Sequence, residues 1–111
     1  MPQVKRLVLL KLKPSTPREE IAAFFEKLDE LAEAFPGVLD VCSGPYCSPE
    51  GLHQGFTHGF VMTFSDVGTR DDCLNAPRHA ALLQLIRPHL SDGDHGLIAF
   101  DFEDCDRFRY S

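Results

Sequence analysis

The sequence predicts one α+β domain with the element order β-α-β-β-α-β, and three observations carry that prediction. Residues 56–64, Phe56-Thr57-His58-Gly59-Phe60-Val61-Met62-Thr63-Phe64, alternate between two unlike faces, with His58, Phe60, Met62 and Phe64 on one side and Thr57, Gly59, Val61 and Thr63 on the other. Residues 21–35 instead repeat at helical spacing, with Ile21, Phe24, Phe25, Leu28, Leu31 and Phe35 forming one stripe. Prolines and glycines then punctuate the chain at Pro14, Phe35-Pro36-Gly37, Pro77 and Pro88.

The elements follow in order. Val4 to Leu12 reads as the first strand, with Val4, Arg6, Val8, Leu10 and Leu12 on one face and Lys5, Leu7, Leu9 and Lys11 on the other. Apolar residues on both faces predict cover on both, and Pro14 stops the strand. Thr16-Pro17-Arg18-Glu19 reads as a helix start, with Thr16 as cap, Pro17 at the first helical position and Glu19 completing a capping box. The helix ends at Phe35-Pro36-Gly37. Val38 to Gly44 is a short second strand, and Pro45 to Gln54 a loop long enough to act as a lid or to serve as plain connection. Phe56 to Phe64 is the third strand. Ser65 or Asp66 opens a second helical region that Pro77 divides, Pro77 itself starting a new helix that carries Leu82, Leu83, Leu85 and Ile86 before Pro88. Gly96 to Glu103 is the fourth strand, with Ile98, Phe100 and Phe102 on one side and Leu97, Ala99 and Asp101 on the other. A polar tail with Phe108 and Tyr110 follows. This order is that of the ferredoxin-like, split-βαβ arrangement, and residues 1–111 are expected to form a single domain.

Composition narrows the function. A net charge of −6, with scattered Lys and Arg, argues against a nucleic-acid partner. The longest apolar run near the start, Leu7 to Leu10, is far too short to span a bilayer, so no membrane partner is expected. Met1-Pro2-Gln3 does not begin a signal peptide, and the four cysteines (Cys42, Cys47, Cys73 and Cys105) form no Cys-x-x-Cys pair. A reduced, cytoplasmic chain is the expectation.

The topology has one further consequence. Both helices pack on one face of the sheet, which leaves the other face bare and apolar. An identical sheet, related by a two-fold axis, is the simplest cover, so a homodimer is expected. Two sheets face to face enclose an interior. A gap left there would hold a small hydrophobic molecule, and bulky residues at Gly59 or Val61 would fill it.

Several segments resemble the stress-responsive α/β-barrel (Dabb) domain family: residues 4–13 (Val4 to Lys13), Phe35-Pro36-Gly37-Val38, Ser48-Pro49-Glu50-Gly51-Leu52, Gly55 to Phe64, Pro77-Arg78-His79 and Ala99-Phe100-Asp101-Phe102. The resemblance covers nearly the whole chain. It implies a dimeric α+β barrel with a ligand cavity in each protomer. It is also similar to the family's plant polyketide cyclases of the olivetolic acid type, which close a linear chain by aldol chemistry without a cofactor, using a histidine and a tyrosine. That histidine falls on His79, and the tyrosine position holds Cys73. A second family histidine falls on His58, and a third pocket histidine position holds Arg6.

The residues themselves allow this chemistry. His79 lies in the first turn of a helix, where the electropositive terminus favours a neutral imidazole able to accept a proton from carbon. The same histidine can equally pin the helix start. Arg6 stays charged at any working pH and suits a carboxylate or enolate. No phosphate loop, Ser-His-Asp signature or metalloprotease motif is present, and Asp92-Gly93-Asp94-His95 reads as a polar turn in preference to a metal site. Cofactor-free chemistry with no metal is therefore the enzymatic reading that lacks no part. Two readings stay open. One is a lyase- or cyclase-like acid/base enzyme with His79 and His58 catalytic and Arg6, Phe60, Met62, Cys73, Phe24 and Leu28 around the substrate. The other is a non-catalytic stress-response or structural dimer.

Overall fold

The computed structural model describes residues 2–104, so Cys105, Phe108 and Tyr110 of the predicted tail lie outside the described residues. The elements are β1 (Val4–Leu10), α1 (Arg18–Ala34), β2 (Val38–Pro45), β3 (His58–Phe64), α2 (Val67–Asn75), α3 (Pro77–Ile86) and β4 (Leu97–Glu103). The four strands form one sheet in the order β2-β3-β1-β4, and every neighbouring pair is antiparallel. This is the predicted ferredoxin-like arrangement, with the helical region after β3 split in two.

The split follows from local chemistry. Asp66 caps α2 by accepting a 2.8 Å bond from the Thr69 backbone N–H. Proline has no N–H to offer a preceding turn, and Pro77 takes the first position of α3 after the extended Ala76. The start of α1 departs from the sequence expectation. Pro17, not Thr16, is its N-cap residue, and no side chain caps it. The Thr16 hydroxyl, one residue before the N-cap, instead donates back to the Lys13 carbonyl at 2.7 Å, and the Glu20 N–H of the first turn bonds the Pro17 carbonyl at 3.1 Å. Three strands are also shorter than read, β4 by one residue, since it starts at Leu97, and β1 and β3 by two. β1 ends at Leu10, and Leu12 makes only an isolated bridge to Leu90. β3 begins at His58, with the Lys11 ammonium over the Phe56 ring at 4.9 Å.

The core lies on one side of the sheet. Val4, Val8 and Leu10 of β1 and Phe60, Met62 and Phe64 of β3 are buried against Phe24, Leu28 and Leu31 of α1 and Leu82 and Ile86 of α3. The register puts Arg6 of β1 between Met62 and Asp101 on this same side. The opposite face has no helix. Leu7 is flanked there by Val61 and Phe100, and Leu9 by Gly59 and Ile98. Phe100 is 60% exposed, and Ile98 and Phe102 are also exposed. The cover predicted on both faces of β1 is thus present on one only within a single chain.

Candidate functional site

A small cavity of about 30 Å³ lies between the sheet and the helices of one chain. That volume is room for one or two water molecules. Arg6 and Val8 of β1 and Phe60 and Met62 of β3 form its sheet wall; Phe24 and Leu28 of α1 face them. His79, Leu82, Leu83 and Ile86 of α3 line it as well, with Leu97 of β4. The sequence expectation placed a pocket between two sheets; this cavity lies instead beneath the helices of a single chain. The apolar alternation of β1 and β3 turns Val8, Phe60 and Met62 inward beneath the helices, where an incomplete fit leaves a void. Gly59 and Val61 stand on the other face, so bulky residues there would not fill it.

The cavity brings together Arg6, Phe24, Leu28, Phe60, Met62 and His79. It does not include His58 or Cys73. His58 ends β3 with its ring 5.9 Å from that of Phe25 and its Nδ1 2.8 Å from the Thr57 hydroxyl. It lines a separate cleft with Tyr46 and His53, whose rings stack 3.9 Å apart. Cys73 is fully buried in α2. Burial pushes its thiol pKa up, and the Arg6 charge only partly offsets this, so the group is held as a thiol rather than a nucleophilic thiolate.

Arg6 and His79 are the polar members of an otherwise apolar lining. Each is positioned by a partner the sequence did not announce. The Arg6 Nη1 donates to Asp101 Oδ1 at 2.9 Å, and Arg70 Nη1 donates to Asp101 Oδ2 at 2.8 Å. Arg70 Nε also reaches Asp71 at 2.8 Å. The only sequence signal for this cluster was Asp101 on the same side of its strand as Leu97. His79 sits at the third position of α3, its backbone N–H bonded to the Ala76 carbonyl at 3.0 Å. Its pKa lies below the ordinary 6.5, first because burial disfavours the charged ring and second because Arg6 repels it; a hydrogen bond with the Leu74 backbone pulls the other way. His58 is likewise lowered by burial. At neutral pH the cavity therefore presents an uncharged imidazole beside a fixed guanidinium. That arrangement can take a proton from a weak carbon acid and steady the oxyanion that forms.

The two lowered histidines predict a pH dependence of stability. Above the unfolded-state value of 6.5 both states hold neutral rings and no penalty arises. Below 6.5 the unfolded chain binds protons that the folded chain resists, so stability falls as pH drops through 6.5 toward the folded values, and then levels off. Urea midpoints measured at pH 8 and pH 5 are expected to show a loss on acidification that His79→Gln reduces. An unchanged loss in that variant would mean the His79 ring is not desolvated.

The family profile of the stress responsive A/B barrel domain matches residues 4–104. Olivetolic acid cyclase from Cannabis sativa is 29% identical over 84 residues, which span 76% of this chain and 83% of that protein. Among solved structures, a protein from Jannaschia sp. CCS1 described as a dimeric ferredoxin-like protein of unknown function superposes with a TM-score of 0.84 at 24% identity, covering 92% of this chain and 99% of that one. The hydroxynitrile lyase of Passiflora edulis also reaches a TM-score of 0.84, at 17% identity, covering 96% of this chain and 97% of that one. At these identities the two structures speak to the fold, whereas the profile spans nearly every described residue, and the chain belongs to the stress-responsive A/B barrel (Dabb) family.

Proposed function

We propose that the protein is a homodimer that binds a small hydrophobic carbonyl compound, polyketide-like in character, in the cavity of each protomer and moves a proton at its carbon without a cofactor. One observation carries this reading: a neutral His79 and a fixed Arg6 share the wall of a cavity that is otherwise apolar. In the proposed step the imidazole of His79 accepts the proton from a carbon next to the carbonyl. The electron pair moves onto the carbonyl oxygen, and Arg6 stabilises that oxygen while the enolate carbon attacks a second carbonyl, in cyclisation or aldol addition, or is reprotonated elsewhere, in isomerisation. Phe24, Leu28, Phe60 and Met62 exclude water around it. The similarity to a cyclase and to a lyase of the same fold supports chemistry of this kind. The bare sheet face bearing Leu7, Leu9, Val61 and Phe100 supports a two-fold dimer, as does the description of a similar structure as dimeric.

A second reading, a non-catalytic structural dimer, is favoured by the narrowness of the cavity: at about 30 Å³ it has room for one or two waters, so a larger ligand enters only if the helices move away from the sheet. One experiment separates the two. An alkyl β-diketone is mixed with the protein in deuterium oxide, and NMR follows both deuterium uptake at its central carbon and shifts in the protein's methyl signals. The first reading expects wild-type protein to speed exchange and His79→Gln to lose about 100-fold or more of that acceleration with unchanged melting temperature. Methyl shifts without faster exchange keep the ligand and remove the chemistry. If neither signal changes, the cavity is not a site for such compounds, the first reading falls and the structural dimer stands.

A further inference from the structure

We infer that the two-fold axis of the dimer runs along the strands, so that the bulky β1–β4 half of one sheet seats on the small-residue β2–β3 half of the other, with Ile98 of each copy filling the cleft at Gly44 of the second. This rests on the dimer proposed above and specifies what that dimer buries. The register arranges the bare face in rows of four that run from β2 to β4. One row is Gly44, Gly59, Leu9 and Ile98, and the next is Cys42, Val61, Leu7 and Phe100. In both, side-chain size rises from β2 toward β4. The β4 end projects, with Ile98 43% and Phe100 60% exposed. The β2 end is hollow. A cleft of about 240 Å³ is lined there by Gly44, Gly59 and Leu9, with Tyr46 at its side, and a side chain at Gly44 would meet nothing within 4 Å.

Two sheets packed face to face with aligned strands have two such axes available in the plane between them. An axis along the strands exchanges the edges of the sheet and keeps each row opposite itself. Gly44 then faces Ile98, Gly59 faces Leu9, and Cys42 faces Phe100, so small always meets large. An axis across the strands keeps β4 over β4, which sets Phe100 on Phe100 and leaves the Gly44 cleft without an apolar occupant. Charge makes the same choice. The third row is Asp40, Thr63, Lys5 and Phe102. Among the described residues neither Asp40 nor Lys5 makes an ion pair, and Lys5 Nζ donates to Thr63 Oγ1 at 3.0 Å. The axis along the strands sets Lys5 of the second copy over Thr63, beside Asp40, twice in each dimer. The other axis sets Lys5 on Leu9 and Asp40 on Gly44, where both charges are covered without a partner.

Sedimentation of the protein over a dilution series tests this. Gly44→Ile fills the cleft, and the overpacking occurs twice in the dimer, so the dissociation constant is expected to rise about hundredfold. Adding Ile98→Ala to that variant should recover about tenfold or more. Within one chain Gly44 and Ile98 lie three strand spacings apart, about 14 Å, so such a recovery acts between copies. Charge supplies a second measurement. Asp40→Lys and Lys5→Glu should each dimerise weakly alone, and their equimolar mixture should associate about tenfold or more tighter than either. A Gly44→Ile chain that dimerises as tightly as the wild type, or a double variant no tighter than Gly44→Ile, would overturn the inference and leave the dimer standing. A mixture no tighter than its components would do the same, and it decides the matter if Gly44→Ile does not fold. A wild-type chain that stays single at micromolar concentration would remove the dimer, and this inference with it.

Discussion

Phe24→Ala is expected to lower the free energy of unfolding by about 3–5 kcal/mol, the range for removing a buried aromatic side chain. Phe24 is 2% exposed, with the Phe25 ring edge-on at 5.1 Å and the Phe60 ring at 6.2 Å. Its removal takes away those contacts and opens space directly beside the existing cavity, whose wall it forms. Two consequences should therefore appear together. The urea midpoint falls, and a small apolar ligand such as octanol recovers part of the loss by occupying the enlarged space. Phe64→Ala is the control. Phe64 is fully buried but does not line the cavity, so it should cost a similar amount with little recovery by octanol. Equal recovery in both variants would show that the alcohol stabilises the fold in general and that Phe24 does not border a ligand site.

Phe100→Asp is expected to turn the proposed dimer into a monomer with little effect on the fold of the single chain. Phe100 is 60% exposed in one protomer and lies next to Leu7 on the sheet face that has no helix. Its ring stands 6.4 Å from that of Phe102. In a two-fold dimer the substitution occurs twice. A buried aromatic anchor lost at each copy is worth about 2 kcal/mol or more, so the dissociation constant should rise about thousandfold. An unpaired carboxylate against an apolar partner adds to that loss. Sedimentation at micromolar concentration should show a dimer for the wild-type chain and a monomer for the variant, with matching far-ultraviolet circular dichroism. A wild-type chain that sediments as a single subunit would remove the dimer from the proposal. It would leave the cavity in place, because that cavity lies within one protomer.

Periodicity together with proline and glycine punctuation was enough to derive the architecture. Strand alternation in residues 56–64 and the stripe from Ile21 to Phe35 mark which side of each element meets the core, and Pro77 marks the break between α2 and α3. These are local signals, set by the geometry of a strand or helix and the missing N–H of proline. The shared wall of Arg6, Phe60, Met62 and His79 was also legible in outline, since three of the four sit on strand faces the pattern had assigned. The Thr16 cap was a plausible local signal that the backbone did not use, because the helix starts one residue later, with Pro17 at the N-cap position, and the Thr16 hydroxyl turns back to donate to Lys13.

What the chain alone determined is the order of its elements and the inward or outward sense of each strand residue, because those depend on neighbours one to four positions away. The location of the void, the separation of His58 and Cys73 from it, and the Asp101 bridge between Arg6 and Arg70 were decided by folding in three dimensions. Asp101 reaches Arg6 across 95 positions and Arg70 across 31. A void is the residue of imperfect fit between helices and sheet, and neither it nor a contact of that span leaves a periodic trace in the sequence.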